Sequence, residues 1–167
     1  MLIILCMLSR LLFEKNARYW AITAPWDHVM MGKSHSITQA NHGKAHALKR
    51  MKEGDWIVYY SPKMSFSTNW KCQRFTAMAR VLDDEIFQVQ LSNGFAPFRR
   101  RVEFIPCREV HIKPLIPLLS FIKNKESWGF SFKFGVIEIP QEDFSIIAKN
   151  MLETPNRTHS RGGAFLG

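Results

Sequence analysis

Three cysteines in 167 residues, Cys6, Cys72 and Cys107, stand far apart and are odd in number. They make no C-x-x-C pair and no disulfide framework, so a reducing compartment, the cytoplasm, is the expectation. Neither Cys72 nor Cys107 has a neighbouring histidine that would activate it, and buried structural thiols are the simplest reading. The chain also lacks a G-x-x-x-x-G-K-[ST] loop, a G-x-G-x-x-G turn after a strand and a G-x-S-x-G elbow. Those absences remove the commonest nucleotide-hydrolase, dinucleotide-binding and serine-hydrolase signatures. His42 and His46 are spaced like metal ligands on a helix, but Gly-Lys-Ala lies between them. That stretch has no glutamate for a zinc hydrolase, and Gly43 weakens the helix, so a solvated or nucleic-acid-facing pair is expected. No metal, cofactor or catalytic group is assigned.

A long apolar run is missing too. Residues 1–13 (MLIILCMLSRLLF) are too few to span a bilayer and are interrupted by Arg10. They lack the basic start and small-residue cleavage site of a signal peptide. Three readings fit: an added amphipathic helix, a weak membrane-surface anchor, or residues upstream of the true translation start. The abrupt onset of globular patterning at Tyr19 favours the last, with a helix packed on the domain next. Residues 1–18 are therefore set apart from a domain at 19–153 and a basic, disordered tail at 154–167.

What is present is aromatic and basic. Aromatic residues make up 13% of the chain, with 13 Phe and 5 Trp, enough for a core and a stacking pocket, although a core alone would also use them. The net charge is +9. Each end contributes +2, leaving +5 for the middle from 18 Lys/Arg and 13 Asp/Glu. That balance suits a polyanion, because each cation placed near a phosphate releases counterions.

Along the chain, residues 19–24 read as a strand, and Pro25 opens a short helix at 26–32. A polar loop covers 34–43 and a short basic helix 44–52. The segment WIVYYS is a strand bounded by Gly54-Asp55 and Pro62. Further strands fall at 74–82, 86–91, 98–105 and 134–139. Residues 83–85 form a solvated acidic turn, 111–121 a short helix despite two prolines, and 141–152 an amphipathic helix opened by acids. No internal repeat is visible, and the strands do not alternate with helices as a parallel series would. The fold class is α/β in the α+β sense: a small, bent, mixed β-barrel with peripheral helices.

Within WIVYYS, period two places Trp56, Val58 and Tyr60 on one face and Ile57, Tyr59 and Ser61 on the other. One face must be core, and the other can open to a cavity at the strand's end, where Pro62 stops pairing. Both tyrosines serve equally well as core aromatics. Trp128 stands in a polar, lysine-containing context, unlike an ordinary core tryptophan. Gln39 and Asn41 carry both donors and acceptors. For phosphates, Lys49, Arg50 and Lys52 and the triplet Arg99, Arg100 and Arg101 are the candidates. Period two sets Arg100 opposite its neighbours, and a solvated charged face is the alternative for each group.

In their order, Tyr19-Trp20, Asn41-His42-Gly43-Lys44, Lys49-Arg50-Met51-Lys52-x-Gly54-Asp55-Trp56 and Tyr59-Tyr60-Ser61-Pro62 resemble the EVE domain of the PUA-like superfamily. Phe95-x-Pro97-Phe98-Arg99-Arg100, Ser127-Trp128-Gly129-Phe130 and Phe134-Gly135-Val136-Ile137-Glu138-Ile139 extend the likeness to about Glu153. The resemblance implies a PUA-like barrel related to YTH and ASCH domains, binding a modified base in DNA or RNA without catalysis. It places the base pocket on Gln39, Asn41, His42, Gly43, Lys44, Tyr60, Ser61, Pro62, Trp128 and Gly129. Family members often carry Gly-Gly or Gly-Phe before this pocket; here the stretch is Ser34-His35-Ser36-Ile37, so the rim on that side is expected to differ. A nucleoside binder or enzyme using the same cavity is the alternative, and a membrane-tethered module is a third.

Overall fold

The computed structural model describes residues 16–152. The expectations for residues 1–13 and for the tail from 154 lie outside the described residues. The fold is mixed α+β: one curled sheet of eight strands with helices on both faces. The strands are β1 (Tyr19–Thr23), β2 (Ile37–Thr38), β3 (Trp56–Lys63), β4 (Lys71–Val81), β5 (Phe87–Gln88), β6 (Phe98–Ile105), β7 (Val110–His111) and β8 (Val136–Ile139). Their order is β2-β6-β4-β3-β1-β8, with β5 added to β6 and β7 to β4. Among the described strands, only β1 and β3 run parallel, from Tyr19 opposite Trp56 to Thr23 opposite Tyr60. A parallel pair needs a crossover, and α1 (Trp26–Ser34) and α2 (Ala45–Lys49) lie within it.

The strand β3 lies between β1 and β4 and is buried on both faces, so more of it is core than its alternation suggests. Trp56, Val58 and Tyr60 join one hydrophobic cluster, while Ile57 and Tyr59 join the other. The first cluster is covered by α3 (Gln141–Leu152), whose Phe144, Ile147, Ala148, Met151 and Leu152 are buried at helical spacing. The second is covered by Val29 of α1 and by Ala47, Leu48 and Met51 around α2.

Several elements differ from their sequence-based expectation. Pro62 does not end β3: the strand continues to Lys63, and register shifts around Tyr60 and Ser61 accommodate the missing N–H. The expected helix at 111–121 is a turn followed by a 3-10 turn at Ile116–Leu118, because Pro114 and Pro117 withhold N–H groups. The last strand starts at Val136, after Gly135 at φ 77°. The polar loop before Gly43 contains β2, paired with Arg101 and Arg100 of β6.

The sheet edges β2 and β8 stand far apart in strand order, yet the segments beside them meet. Asn41, just after β2, packs its side chain onto Gly135, just before β8. Curling of the sheet brings these ends together beside the C-terminal end of β1, whose Thr23 N–H donates to Gly135 O at 2.7 Å.

Candidate functional site

A cleft of about 720 Å³ opens where those two edges meet. Its size falls in the range of small-molecule sites. The floor is Tyr59 of β3 stacked on Phe104 of β6, ring centres 5.5 Å apart and planes 21° from parallel. Phe66, Phe95, Phe132 and Phe134 supply further walls. Phe66 comes from the β3–β4 hairpin, its ring 4.8 Å from His28 edge-on and 6.3 Å from His42 in a stacked arrangement.

One rim is a left-handed turn. Asn41, His42 and Gly43 have φ of 47°, 56° and 78° in succession. Two non-glycine residues held there store backbone strain, which recurs at binding sites. The turn projects Asn41 and His42 into the cleft, with Gln39 beside them. Gly43 does not reach it: a Cβ there would collide with Pro97, so its role is close packing under the turn. Ser36 also takes a positive φ of 53°. It lies in the stretch where the resembling family often carries glycine, the residue that adopts this conformation at no steric cost.

Two hydroxyls at this site have no hydrogen-bond partner among the described residues: Thr38 Oγ1 and Tyr59 Oη. Both residues are about as buried as the core, at 2% and 3% exposure, and both line the cleft. Burial pushes the Tyr59 phenol well above its ordinary range. The Thr38 side chain, beside that phenol, acts in the opposite direction and is the smaller of the two causes. A buried hydroxyl with no partner costs about 1–3 kcal/mol.

The charge at the cleft has one sign. Lys44, Lys63, Arg99 and Lys133 line it, and among the described residues no Asp or Glu does. Arg99 Nε donates to Gln39 Oε1 at 3.4 Å, which couples a cation to one of the amides. Here the aromatic walls, the amides and the cations converge on one space.

Trp128 and Tyr60 face another. They line a second cleft of about 530 Å³ together with Ser127, Gly129 and Phe130. Tyr60 lies 4.1 Å from Phe132, and Trp128 stands edge-on to Tyr60 at 6.0 Å. The single pocket expected from sequence is therefore two neighbouring clefts, which share Thr23, Pro62, Phe132 and Lys133 as their divide. The cause is strand geometry: consecutive Tyr59 and Tyr60 point to opposite faces of β3. Ser61 reaches neither cleft. It is fully buried and its hydroxyl bonds Thr76 Oγ1 at 2.9 Å. A Cβ on Gly129 would meet nothing within 4 Å, so packing does not demand glycine there.

The arginine triplet also divides. Arg100 is 1% exposed and cannot serve as a phosphate contact. Its Nη1 donates to Leu48 O and Met51 O at 2.7 and 2.5 Å, and its Nη2 to Asp83 O at 2.8 Å and Asp84 Oδ1 at 3.2 Å. Arg101 is exposed but paired with Glu85 and Asp83. The acidic turn at 83–85 is solvent-exposed at Asp84 and Glu85, as expected, and also supplies counter-charge to Arg100 and Arg101. Arg50 is stacked over Trp20 at 4.9 Å and 3.8 Å from Glu138. Lys49 and Lys52 are exposed and do not line the cleft.

The profile of the EVE domain family matches residues 18–150. A UPF0310 protein in the gntR 5' region of Bacillus licheniformis is 49% identical over 127 residues, covering 76% of this chain and 86% of that one. A UPF0310 protein of Mycolicibacterium vanbaalenii is 45% identical over 133 residues, covering 80% and 92%. This chain belongs to the EVE domain family. Among solved structures, the NMR structure of Rpa0253 from Rhodopseudomonas palustris is similar at a TM-score of 0.49 and 13% identity, over 86% of this chain and all of that one.

Several cleft residues of this EVE domain were not assigned to the pocket from the sequence: Thr38, Tyr59, Lys63, Phe66, Phe95, Phe104, Lys133 and Phe134. Phe66 and Phe134 carried a signal, since each is a large aromatic in a polar or lysine-flanked stretch. Thr38 and Phe104 carried none, because their place depends on pairing between β2 and β6. Among the described residues, no three His, Cys, Asp or Glu side chains gather as metal ligands would. No helix among them is long and apolar enough to cross a membrane.

Proposed function

We propose that this EVE domain binds nucleic acid without catalysing a reaction, taking one extruded nucleobase into the larger cleft. The observation that carries this reading is the convergence, in one cleft, of aromatic rings, the Gln39 and Asn41 side chains and four cations, with no carboxylate among its described lining residues. A base reads as the matching occupant. Its flat faces stack on aromatic rings, worth on the order of 1–3 kcal/mol per base. Its edge offers donors and acceptors to the amides of Gln39 and Asn41. Its phosphates meet Lys44, Lys63, Arg99 and Lys133. The resemblance to readers of modified bases favours a modified base as the preferred occupant.

The test is a binding screen at low salt, by fluorescence anisotropy, against labelled DNA and RNA oligonucleotides that carry different base modifications. Salt-sensitive binding, tightened by at least one modification, is the expected result. Stabilisation of the protein by free nucleosides, with no oligonucleotide bound, would instead identify a nucleoside-binding protein and overturn the reading.

A further inference from the structure

The most exposed large apolar side chain among the described residues is Trp70, at 76%, and it lines neither cleft. It stands at the base of the β3–β4 hairpin, whose tip carries Phe66 at 54% exposure. Phe66 is also a wall of the larger cleft. The hairpin is held in place. Met64 N–H donates to Trp70 O at 2.9 Å, and Met64 O accepts from Asp27 N–H of α1 at 3.0 Å. Residues 63–71 (KMSFSTNWK) contain two lysines and no acid, and Lys63 pairs across the hairpin with Lys71. A basic loop pinned at Met64 thus carries two exposed rings, one of them a wall of the larger cleft.

We propose that this hairpin is a wedge that enters the base stack of a duplex and occupies the gap left by the base taken into the cleft. The inference rests on the base-binding reading and adds the form of nucleic acid: a double helix from which the base is drawn. Extrusion leaves two base faces unstacked, and an inserted apolar side chain covers them. The backbones beside such a gap are anionic, which matches Lys63 and Lys71 flanking the rings. Trp70 provides the larger stacking surface, and Phe66 joins the wedge to the cleft.

The test compares wild type with Trp70→Ala and Trp70→Phe. The probes are short labelled DNA and RNA duplexes with one central mismatch, and the single strands taken from them. A mismatch lowers the cost of extrusion. Trp70→Ala is expected to lose duplex affinity by on the order of tenfold and single-strand affinity by less than about threefold, while Trp70→Phe retains most of both. Equal affinity of Trp70→Ala and wild type for every probe would overturn the wedge and leave the ring to a protein partner. Equal loss on duplex and single strand would also overturn it, as general stacking. Failure of wild type to bind any probe would overturn the base-binding reading itself, a result distinguishable because it precedes any substitution.

Discussion

The side chain of Asn41 occupies the space that a Cβ would need at Gly135, so the rim of the cleft and the start of β8 are fitted to each other. Gly135 also sits at φ 77°, where glycine alone is unstrained. Gly135→Ala is therefore expected to cost roughly 1–2 kcal/mol from backbone strain and the displacement of Asn41. Urea denaturation measures that loss. Oligonucleotide affinity should fall with it, whereas Gly129→Ala, with open space around it, should leave stability unchanged.

The neighbouring arginines of β6 should behave in opposite ways. Arg100→Ala leaves three backbone carbonyls and Asp84 without their donor. Its expected cost is about 3–5 kcal/mol, typical of breaking a buried charged network. Arg101→Ala removes only exposed ion pairs and should cost less than about 1 kcal/mol. Chemical denaturation of the two variants checks the contrast.

Salt dependence should separate the cations. If Lys44 and Lys133 each neutralise one phosphate, Lys44→Gln and Lys133→Gln should each reduce the slope of log affinity against log salt by about one. Arg101→Gln should leave the slope unchanged, because its charge is already met by Glu85 and Asp83.

Alkaline pH should destabilise the protein. Burial raises the pKa of Tyr59 and Tyr60 in the folded state, and of Cys72 and Cys107. A group whose pKa is raised on folding stabilises the native state below its unfolded pKa, and that contribution is lost as pH rises. Stability is therefore expected to be flat near neutrality and to fall from about pH 9–10 upward. Denaturant midpoints across that range measure the fall.

Much of this architecture is written locally. WIVYYS between Gly54-Asp55 and Pro62 is a strand by composition and boundaries, and the spacing of Phe144, Ile147, Ala148 and Met151 specifies α3. The site is less local. Its residues come from β2, the turn at Asn41, the end of β3, the hairpin and Gly135, which meet only when the sheet curls. Period two separated Tyr59 from Tyr60 correctly, but gave no reason to choose which face carries the larger cleft. The alternation of Arg99, Arg100 and Arg101 was equally plain. The destination of Arg100 was not, because its acceptors lie in α2 and in an acidic turn that reads as solvated.

The two buried hydroxyls bear on stability rather than on binding. Tyr59→Phe and Thr38→Val remove buried groups that satisfy nothing in the protein. Each should leave stability unchanged or raise it by about 1 kcal/mol. Oligonucleotide binding should be unchanged, as read by anisotropy on the same samples, because both oxygens are closed off from the cleft.

The location of the bound base is tested most directly by NMR: titration of isotope-labelled protein with an oligonucleotide that it binds at low salt. The largest shifts are predicted at the side-chain amides of Gln39 and Asn41 and the backbone amides of Thr38 and Tyr59. Shifts confined to the exposed surface around Lys49 and Lys52, with those four residues unmoved, would contradict the placement of a base in the cleft.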